Sequence, residues 1–172
     1  MHAQRKYNSR WWICKYRGWQ YLSSLLQAVA GHQWAYSNRW FVDPETLQPL
    51  GVDAWESVGP GAGVFKNHFG GFVDASSLLV DKIACEPALR WWTVPLPADK
   101  QGRSADRNVF AHLRRHYRCN ATNKPTCFFR LDPADPMHTS RMKALAKNSA
   151  GQAGAATPPV FPPQAAVPLP II

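Results

Sequence analysis

The sequence has 172 residues, of which 45% are hydrophobic and 12% aromatic, and this content excludes a wholly disordered protein. Charged residues make up only 18%, against roughly 25% in an average domain, which argues against a freely soluble, well-hydrated monomer. The length allows one domain with its own core, together with tails.

The formal net charge of +9 is unevenly distributed along the chain. Residues 1–42 contain six Lys and Arg and no acid, and residues 136–172 contain three Lys and Arg and no acid. The middle, 43–135, contains eleven basic and eleven acidic residues and is therefore neutral. This distribution predicts a protein that docks onto an anionic partner through its basic ends.

The N-terminal third is predicted to consist of a basic aromatic arm over 1–18 and an amphipathic helix over 19–30. Gly31 is placed to end this helix, and the polar side of the helix has no charge. The apolar side chains at helical spacing are Trp19, Leu22, Leu25, Leu26 and Val29.

Basic and aromatic residues alternate on both sides of this helix, a composition that suits RNA, a lipid headgroup layer or another protein. The acid-free N-terminal segment also resembles an organelle-directing segment in composition, although it is rich in Trp. We therefore predict a location in the mitochondrion, peripheral to the inner membrane. The residues that we predict to bind a partner are Arg10, Trp11, Trp12, Lys15, Arg17, Trp19, Arg39 and Trp40.

The glycine-rich region 51–71 is predicted to be a structural loop, because its spacing is not that of a phosphate-binding loop and no strongly hydrophobic strand precedes it. Within it, Asp53 and Glu56 flank Trp55. We predict that they form a carboxylate pair at the protein surface.

The second half of the chain is predicted to be mainly helical. Asp74 is placed as the N-cap of a helix that runs through 78–84, and a short β-prone segment follows at 90–94. Two further helices are predicted over 105–118 and 137–147, the last of them basic.

Four potential metal ligands, His112, His116, Cys119 and Cys127, are spaced as H-x3-H-x2-C-x7-C. The first three fall on one helical face, and a loop could return the fourth, which would suit tetrahedral zinc. The spacing matches none of the usual structural zinc patterns, so a disulfide between Cys119 and Cys127, or free thiols, remain alternatives. Apart from this zinc, no cofactor is predicted.

The C-terminal segment 149–172 is rich in Ala, Gly and Pro and is predicted to be an extended tail. Apolar residues punctuate it, which a purely flexible linker would not need. Phe161 is therefore added to the predicted partner-binding residues.

The sequence favours a protein that is not an enzyme. It contains neither G-x-S-x-G nor H-E-x-x-H, and it offers no convincing pairing of Cys with His and an acid. The acids are sparse, and Asp43, Asp132 and Asp135 lie beside prolines, where turn formation explains them.

The predicted fold class is mainly α, with short helices, extensive irregular loops, extended tails and little or no β. The predicted organisation is an arm over 1–18, a small mainly helical domain over 19–148 and the tail over 149–172.

Three functions are compatible with these features. The first is a non-catalytic accessory subunit of a large organellar assembly, a mitochondrial respiratory-chain complex or ATP synthase, which would bind other subunits and an anionic membrane surface through the arms. The alternative is an RNA-binding peripheral protein of a mitochondrial ribosome. The third is a soluble interaction module stabilised by zinc.

Overall fold

A computed structural model of the chain describes residues 11–13, 19–94 and 105–151, with side chains at 21–94 and 105–148. Its centre is a mixed sheet of five strands, accompanied by a short two-stranded sheet and by helices. The elements, in chain order, are β1 (Trp11–Ile13), α1 (Trp19–Ala28), β2 (Trp34–Val42), β3 (Pro49–Val52), β4 (Gly59–Pro60), α2 (Lys66–Phe69), β5 (Gly71–Phe72), a 3₁₀ turn (Ala75–Ser77), β6 (Leu78–Asp81), α3 (Glu86–Leu89), a second 3₁₀ turn (Arg90–Thr93), α4 (Ala105–His116), β7 (Cys119–Arg130) and α5 (His138–Gly151).

Strand β2 is the central strand of the sheet. It is rich in aromatic residues, which favour strands, and most of its residues are buried. Its first residues pair with β6 and its last with β3, both antiparallel, so β6 and β3 share one edge of β2. β7 pairs in parallel along the other edge, and β1 extends the sheet beyond β6.

The long strand β7 contains Pro125, which has no backbone N–H to donate to a neighbouring strand. Pro125 lies opposite Asn38, and the register between β2 and β7 shifts on both sides of that pair. Within the described part of the chain, β2 is the one strand that pairs with β7. An edge position with an irregular register is where a sheet accommodates proline.

Helices pack on the sheet through two clusters of buried side chains. Successive residues of a strand face opposite sides, and Trp34 belongs to one cluster while Ala35 belongs to the other. The Trp34 cluster includes Phe110 of α4. The Ala35 cluster includes Leu25 of α1. A third, smaller cluster joins Leu145 of α5 to the end of β2.

The predicted mainly α fold class is wrong, because the chain builds a mixed sheet. Asp74 does cap a turn as predicted, but that turn is the short 3₁₀ segment and the chain then enters β6 instead of a helix. All four residues of β6 are buried between β1 and β2, as is typical of an interior strand. β7 escaped prediction because Asn, Ala, Lys and Pro, which are depleted in strands, make up much of its first half.

The three helices predicted over 19–30, 105–118 and 137–147 are confirmed. Helices are present within the predicted ranges 19–30 and 105–118, and the third predicted helix extends to Gly151. The buried face of α1 differs from the predicted stripe, since Leu26 is exposed and Tyr21 is buried. The predicted β-prone segment 90–94 is instead largely a 3₁₀ turn.

The three acids beside prolines form turns as predicted. Asp43 accepts hydrogen bonds from the amides of Glu45 and Thr46. Asp132 accepts one from the Ala134 amide, and Asp135 one from the Met137 amide.

Candidate functional site

The predicted partner-binding residues fall into three groups in the structure. Arg10, Lys15, Arg17 and Phe161 lie outside the described residues, as does most of the predicted tail. For Trp11, Trp12 and Trp19 the backbone alone is described, the first two in β1 and the third at the start of α1.

Arg39 and Trp40 have structural roles within the domain. Trp40 is half-buried, and its Nε1 donates a hydrogen bond to the carbonyl of Pro125. Arg39 is fully buried at the centre of an ion cluster. A fully buried guanidinium cannot contact a partner at the surface, so the structure gives Arg39 a different role from the predicted one.

Arg39 binds three carboxylates. Its Nε donates to Asp53 Oδ2 at 2.8 Å, and its Nη2 donates to Glu56 Oε2 at 2.6 Å. Its Nη1 donates to Asp74 Oδ2 at 2.9 Å. β2 thereby anchors the loop after β3 and the segment after β5.

Asp53 and Glu56 are buried, so the prediction of a surface pair is wrong. Asp53 also accepts hydrogen bonds from the amides of Trp55, Glu56 and Ser57. These bonds shape the loop into a turn: the Trp55 and Glu56 amides bind Oδ1, and the Ser57 amide shares Oδ2 with Arg39. A carboxylate with this many donors is stable in its charged form even inside a protein.

A second arginine extends the cluster to α5. Arg141 is buried and donates to Glu56 Oε2 at 2.8 Å and to Asp135 Oδ2 at 2.8 Å. The guanidinium carbons of Arg39 and Arg141 lie 4.1 and 4.8 Å from the ring centroid of Phe129, within the range of cation–π attraction. One ion cluster therefore connects β2, β7, α5 and the loops between them.

Sequence reasoning missed most of this cluster. The available signal was an Arg at position 39 inside a run of aromatic residues with strand propensity, followed by the two acids Asp53 and Glu56. A charge in an interior strand needs an internal partner. Nothing in the sequence pointed to Arg141, which is far along the chain.

A cavity of about 380 Å³ lies beside the ion cluster. Its lining includes the apolar side chains of Val42, Leu47 and Phe129, with Asp74 and Ser76 on the polar side. Asp74 is engaged there, because its Oδ1 accepts the Ser76 amide and its Oδ2 accepts Arg39. Asp74 thus borders the cavity as a member of the ion cluster.

Asp106 lies in the first turn of α4, and the pKa of its carboxyl group is strongly raised. Burial, with a smaller contribution from the nearby carboxylates of Asp74 and Glu56, raises its pKa to about 6, against the lowering effect of a hydrogen bond from the Arg107 amide. The ionised form of Asp106 is therefore unfavourable in the folded chain.

We expect Asp106→Asn to stabilise the protein near neutral pH. The raised pKa means that the folded chain binds this proton more tightly than the unfolded chain, so the contribution of Asp106 to stability falls as pH rises from about 4 to about 6. The variant should raise the free energy of unfolding by about 1–2 kcal/mol at neutral pH and by much less near pH 4. Urea unfolding at the two pH values measures this difference.

The exposed Asp132 is the matched control for this experiment. Asp132→Asn keeps an oxygen that can accept the Ala134 amide, and it should produce no comparable gain. If Asp106→Asn changed stability equally at both pH values, the titration of Asp106 would not be the cause.

The structure does not gather the four predicted metal ligands into one site. His112 and His116 lie on α4, whereas Cys119 and Cys127 lie on β7, opposite Trp34 and Arg39 of β2. Both cysteines are free thiols, and burial raises the pKa of each. In the described ranges, no three or more His, Cys, Asp or Glu residues are arranged to hold a metal ion.

Acids and bases are arranged differently in space than along the chain. Among the side chains that the structure describes, nine of thirteen Lys and Arg are exposed, against three of ten Asp and Glu. The exposed bases are Lys66, Arg90, Arg114, Arg115, Arg118, Lys124, Arg130, Lys143 and Lys147, and the exposed acids are Glu45, Glu86 and Asp132. The middle of the chain is neutral in sequence, but the surface formed by the described side chains is basic.

Comparison with protein-family models, curated proteins and solved structures finds no match to this chain. Among the described residues, every helix is too short or too polar to cross a membrane.

Proposed function

We propose that this chain is a non-catalytic, RNA-binding subunit of a larger assembly, which meets RNA through its basic surface. The observation that carries this proposal is the separation of charge, with most acids inside or half-buried and most bases outside. A basic surface attracts phosphates over many positions and needs no sequence-specific contact.

The ion cluster explains how a chain with eleven acids keeps a basic surface. Four carboxylates neutralise the two buried arginines Arg39 and Arg141 instead of the exposed cations. The exposed ion pair between Arg90 and Glu86 is a local exception on the surface. Most of the exposed positive charge is left available for an anionic partner.

The cluster also supports a structural role for the buried polar residues in place of a catalytic one. Asp53 and Glu56 are each held by arginine, and Asp53 binds three backbone amides as well. Carboxylates engaged in this way stabilise loops and have little freedom to transfer a proton to a substrate.

RNA binding by the full chain can be measured by fluorescence anisotropy with a labelled single-stranded oligonucleotide over a range of salt concentrations. We expect binding that weakens steeply with salt. The Lys and Arg side chains of the protein release counterions from the RNA phosphates, and this release is less favourable when the salt concentration is high. The double variant Arg115→Gln, Arg118→Gln should weaken binding and lower the slope of log K against log salt by about 0.7 for each cation that contacts a phosphate.

Glu45→Gln is the matched control, because it removes an exposed charge of the opposite sign. It should leave binding unchanged or slightly stronger. An absence of binding at low salt, or a slope that both variants leave at the wild-type value, would contradict the proposal.

A second candidate, an accessory subunit of a membrane-bound respiratory complex or ATP synthase, is favoured by α1. Its outer side exposes Leu26, Ser23 and Gln27 and carries no charge. An uncharged helix face suits contact with another protein subunit better than contact with RNA. The mitochondrial location predicted from the N-terminal composition applies to both candidates and remains a prediction.

Density-gradient separation of a mild-detergent organelle extract, with and without ribonuclease, distinguishes the two candidates. Movement of the protein with large particles that is lost after ribonuclease treatment would support RNA binding. Movement with a membrane complex that ribonuclease leaves intact would favour the accessory subunit instead.

A further inference from the structure

Three aromatic rings, those of Trp91 and of His112 and His116 on α4, form a stack. The rings of Trp91 and His112 lie 4.2 Å apart between centroids and 15° from parallel. The ring of His116, one helical turn further on, lies 5.8 Å from that of His112 at 22°. The second 3₁₀ turn and α4 thus present a series of nearly parallel ring planes.

The stack borders an open groove of about 300 Å³. Besides the three rings, the groove is lined by Pro87, Ala88 and Tyr117, and its walls combine flat ring faces with polar atoms in about equal measure. His116 is exposed, and Trp91 and His112 are half-buried. A planar ligand entering the groove can extend the existing stack.

The charges around the groove are mainly positive. Arg90 precedes Trp91 and is highly exposed, and Arg115 lies between the two histidines on α4. The acid of this region, Glu86, is held by Arg90 Nε at 2.6 Å. Burial, together with His116 and Arg115, lowers the pKa of His112, so its ring is neutral near neutral pH and stacks as an uncharged aromatic.

A metal ion fits this arrangement less well than a nucleobase. The histidines are two potential ligands, and the described residues offer no third within a metal-binding group. His112 is already stacked flat against Trp91. Planar rings beside exposed arginines are instead the combination that binds bases by stacking and phosphates by charge.

We propose that the groove formed by Trp91, His112 and His116 is a stacking site for an unpaired nucleobase of single-stranded RNA, with Arg115 contacting an adjacent phosphate. This inference rests on the proposed RNA-binding function and names the site on the domain that receives a base. Recognition by stacking accepts any base, so the site binds single-stranded RNA with little sequence preference.

Photo-crosslinking with a short oligouridylate containing 4-thiouridine, followed by mass spectrometry of the full chain's peptides, tests this site. We expect crosslinks to peptides that contain Trp91, His112 or His116. The variant His116→Ala should weaken binding of the same RNA about tenfold, the loss that corresponds to one stacked base. Because His116 is exposed, its truncation leaves the core intact.

His68→Ala is the matched control, since His68 is an exposed histidine that does not line the groove, and it should bind as the wild type does. Two results would contradict the stacking site and leave the proposed RNA binding intact. In the first, RNA binds but crosslinks only to other peptides; in the second, His116→Ala binds RNA as well as the control does. If the wild-type chain bound no RNA, the proposed function and this inference would both fail.

Discussion

Replacement of Arg39 by Met is expected to be the most destabilising change among the described residues. It leaves Asp53, Glu56 and Asp74 without their shared cation, and the first two are buried. Breaking a buried ion pair costs about 3–5 kcal/mol because an uncompensated charge remains inside the protein. Since a folded domain is stabilised by only about 5–15 kcal/mol, a large part of its stability would be lost.

Soluble yield and urea unfolding followed by circular dichroism measure this effect. Arg130→Met is the matched control, because Arg130 is exposed at the end of β7 and should change the free energy of unfolding by less than about 0.5 kcal/mol. Arg141→Met should fall between the two, since Glu56 keeps its bond to Arg39 and Asp135 is partly exposed. Similar unfolding curves for Arg39→Met and Arg130→Met would show that the cluster contributes little to stability.

Substitution of Gly71 by Ala is expected to have the second largest effect. Gly71 has φ of +110°, and a Cβ there would overlap the carbonyl oxygen of Gly59 and press on the backbone of Gly61 and Pro60. Positive φ strains any residue with a Cβ, and the rigid backbone of the neighbouring strand cannot rotate away as a side chain could. We expect a loss of about 3 kcal/mol or more in the free energy of unfolding.

Gly61→Ala separates the two causes of this loss. Gly61 also has positive φ, at +74°, but a Cβ there meets nothing within 4 Å. It should therefore cost about 1–2 kcal/mol, from backbone strain alone. Urea unfolding of both variants measures the difference, and equal losses would mean that the contact between β4 and β5 is looser than described.

Gly71 is also close in sequence to a member of the ion cluster. β5 ends at Phe72, and Asp74, which binds Arg39, follows two residues later. A shift of the β4–β5 pair would move this carboxylate, so Gly71→Ala and Arg39→Met are expected to be less than additive when combined. A double-mutant cycle would measure that coupling.

If the stacking groove binds RNA as proposed, two sets of arginines have different roles in the domain: one stabilises the fold and the other binds RNA. Arg39 and Arg141 stabilise the fold from inside, while Arg115 and Arg118 are exposed on the surface. Variants of the first set should lower stability, and variants of the second should lower RNA affinity with the stability unchanged. This separation allows binding defects to be distinguished from unfolding.

Local features of the fold could be predicted from the sequence because they depend on residues close together in the chain. The helical period predicted α4, and the prolines beside Asp43, Asp132 and Asp135 predicted turns that the amide hydrogen bonds confirm. The cap at Asp74 was also predictable, since it depends on the next two residues. A cap, however, does not determine how far the element after it extends.

The sequence by itself determined the caps, the turns, the helical periods and the total charge, each of which is a local or additive property. The tertiary structure alone decided that β7 pairs in parallel with β2, a contact across more than eighty residues that local propensity opposes. It also decided that Arg39 lies inside, because only folding brings Asp53, Glu56 and Asp74 around it. The basic surface follows from the same cause, since a charge becomes internal when long-range packing supplies its partners and removes its water.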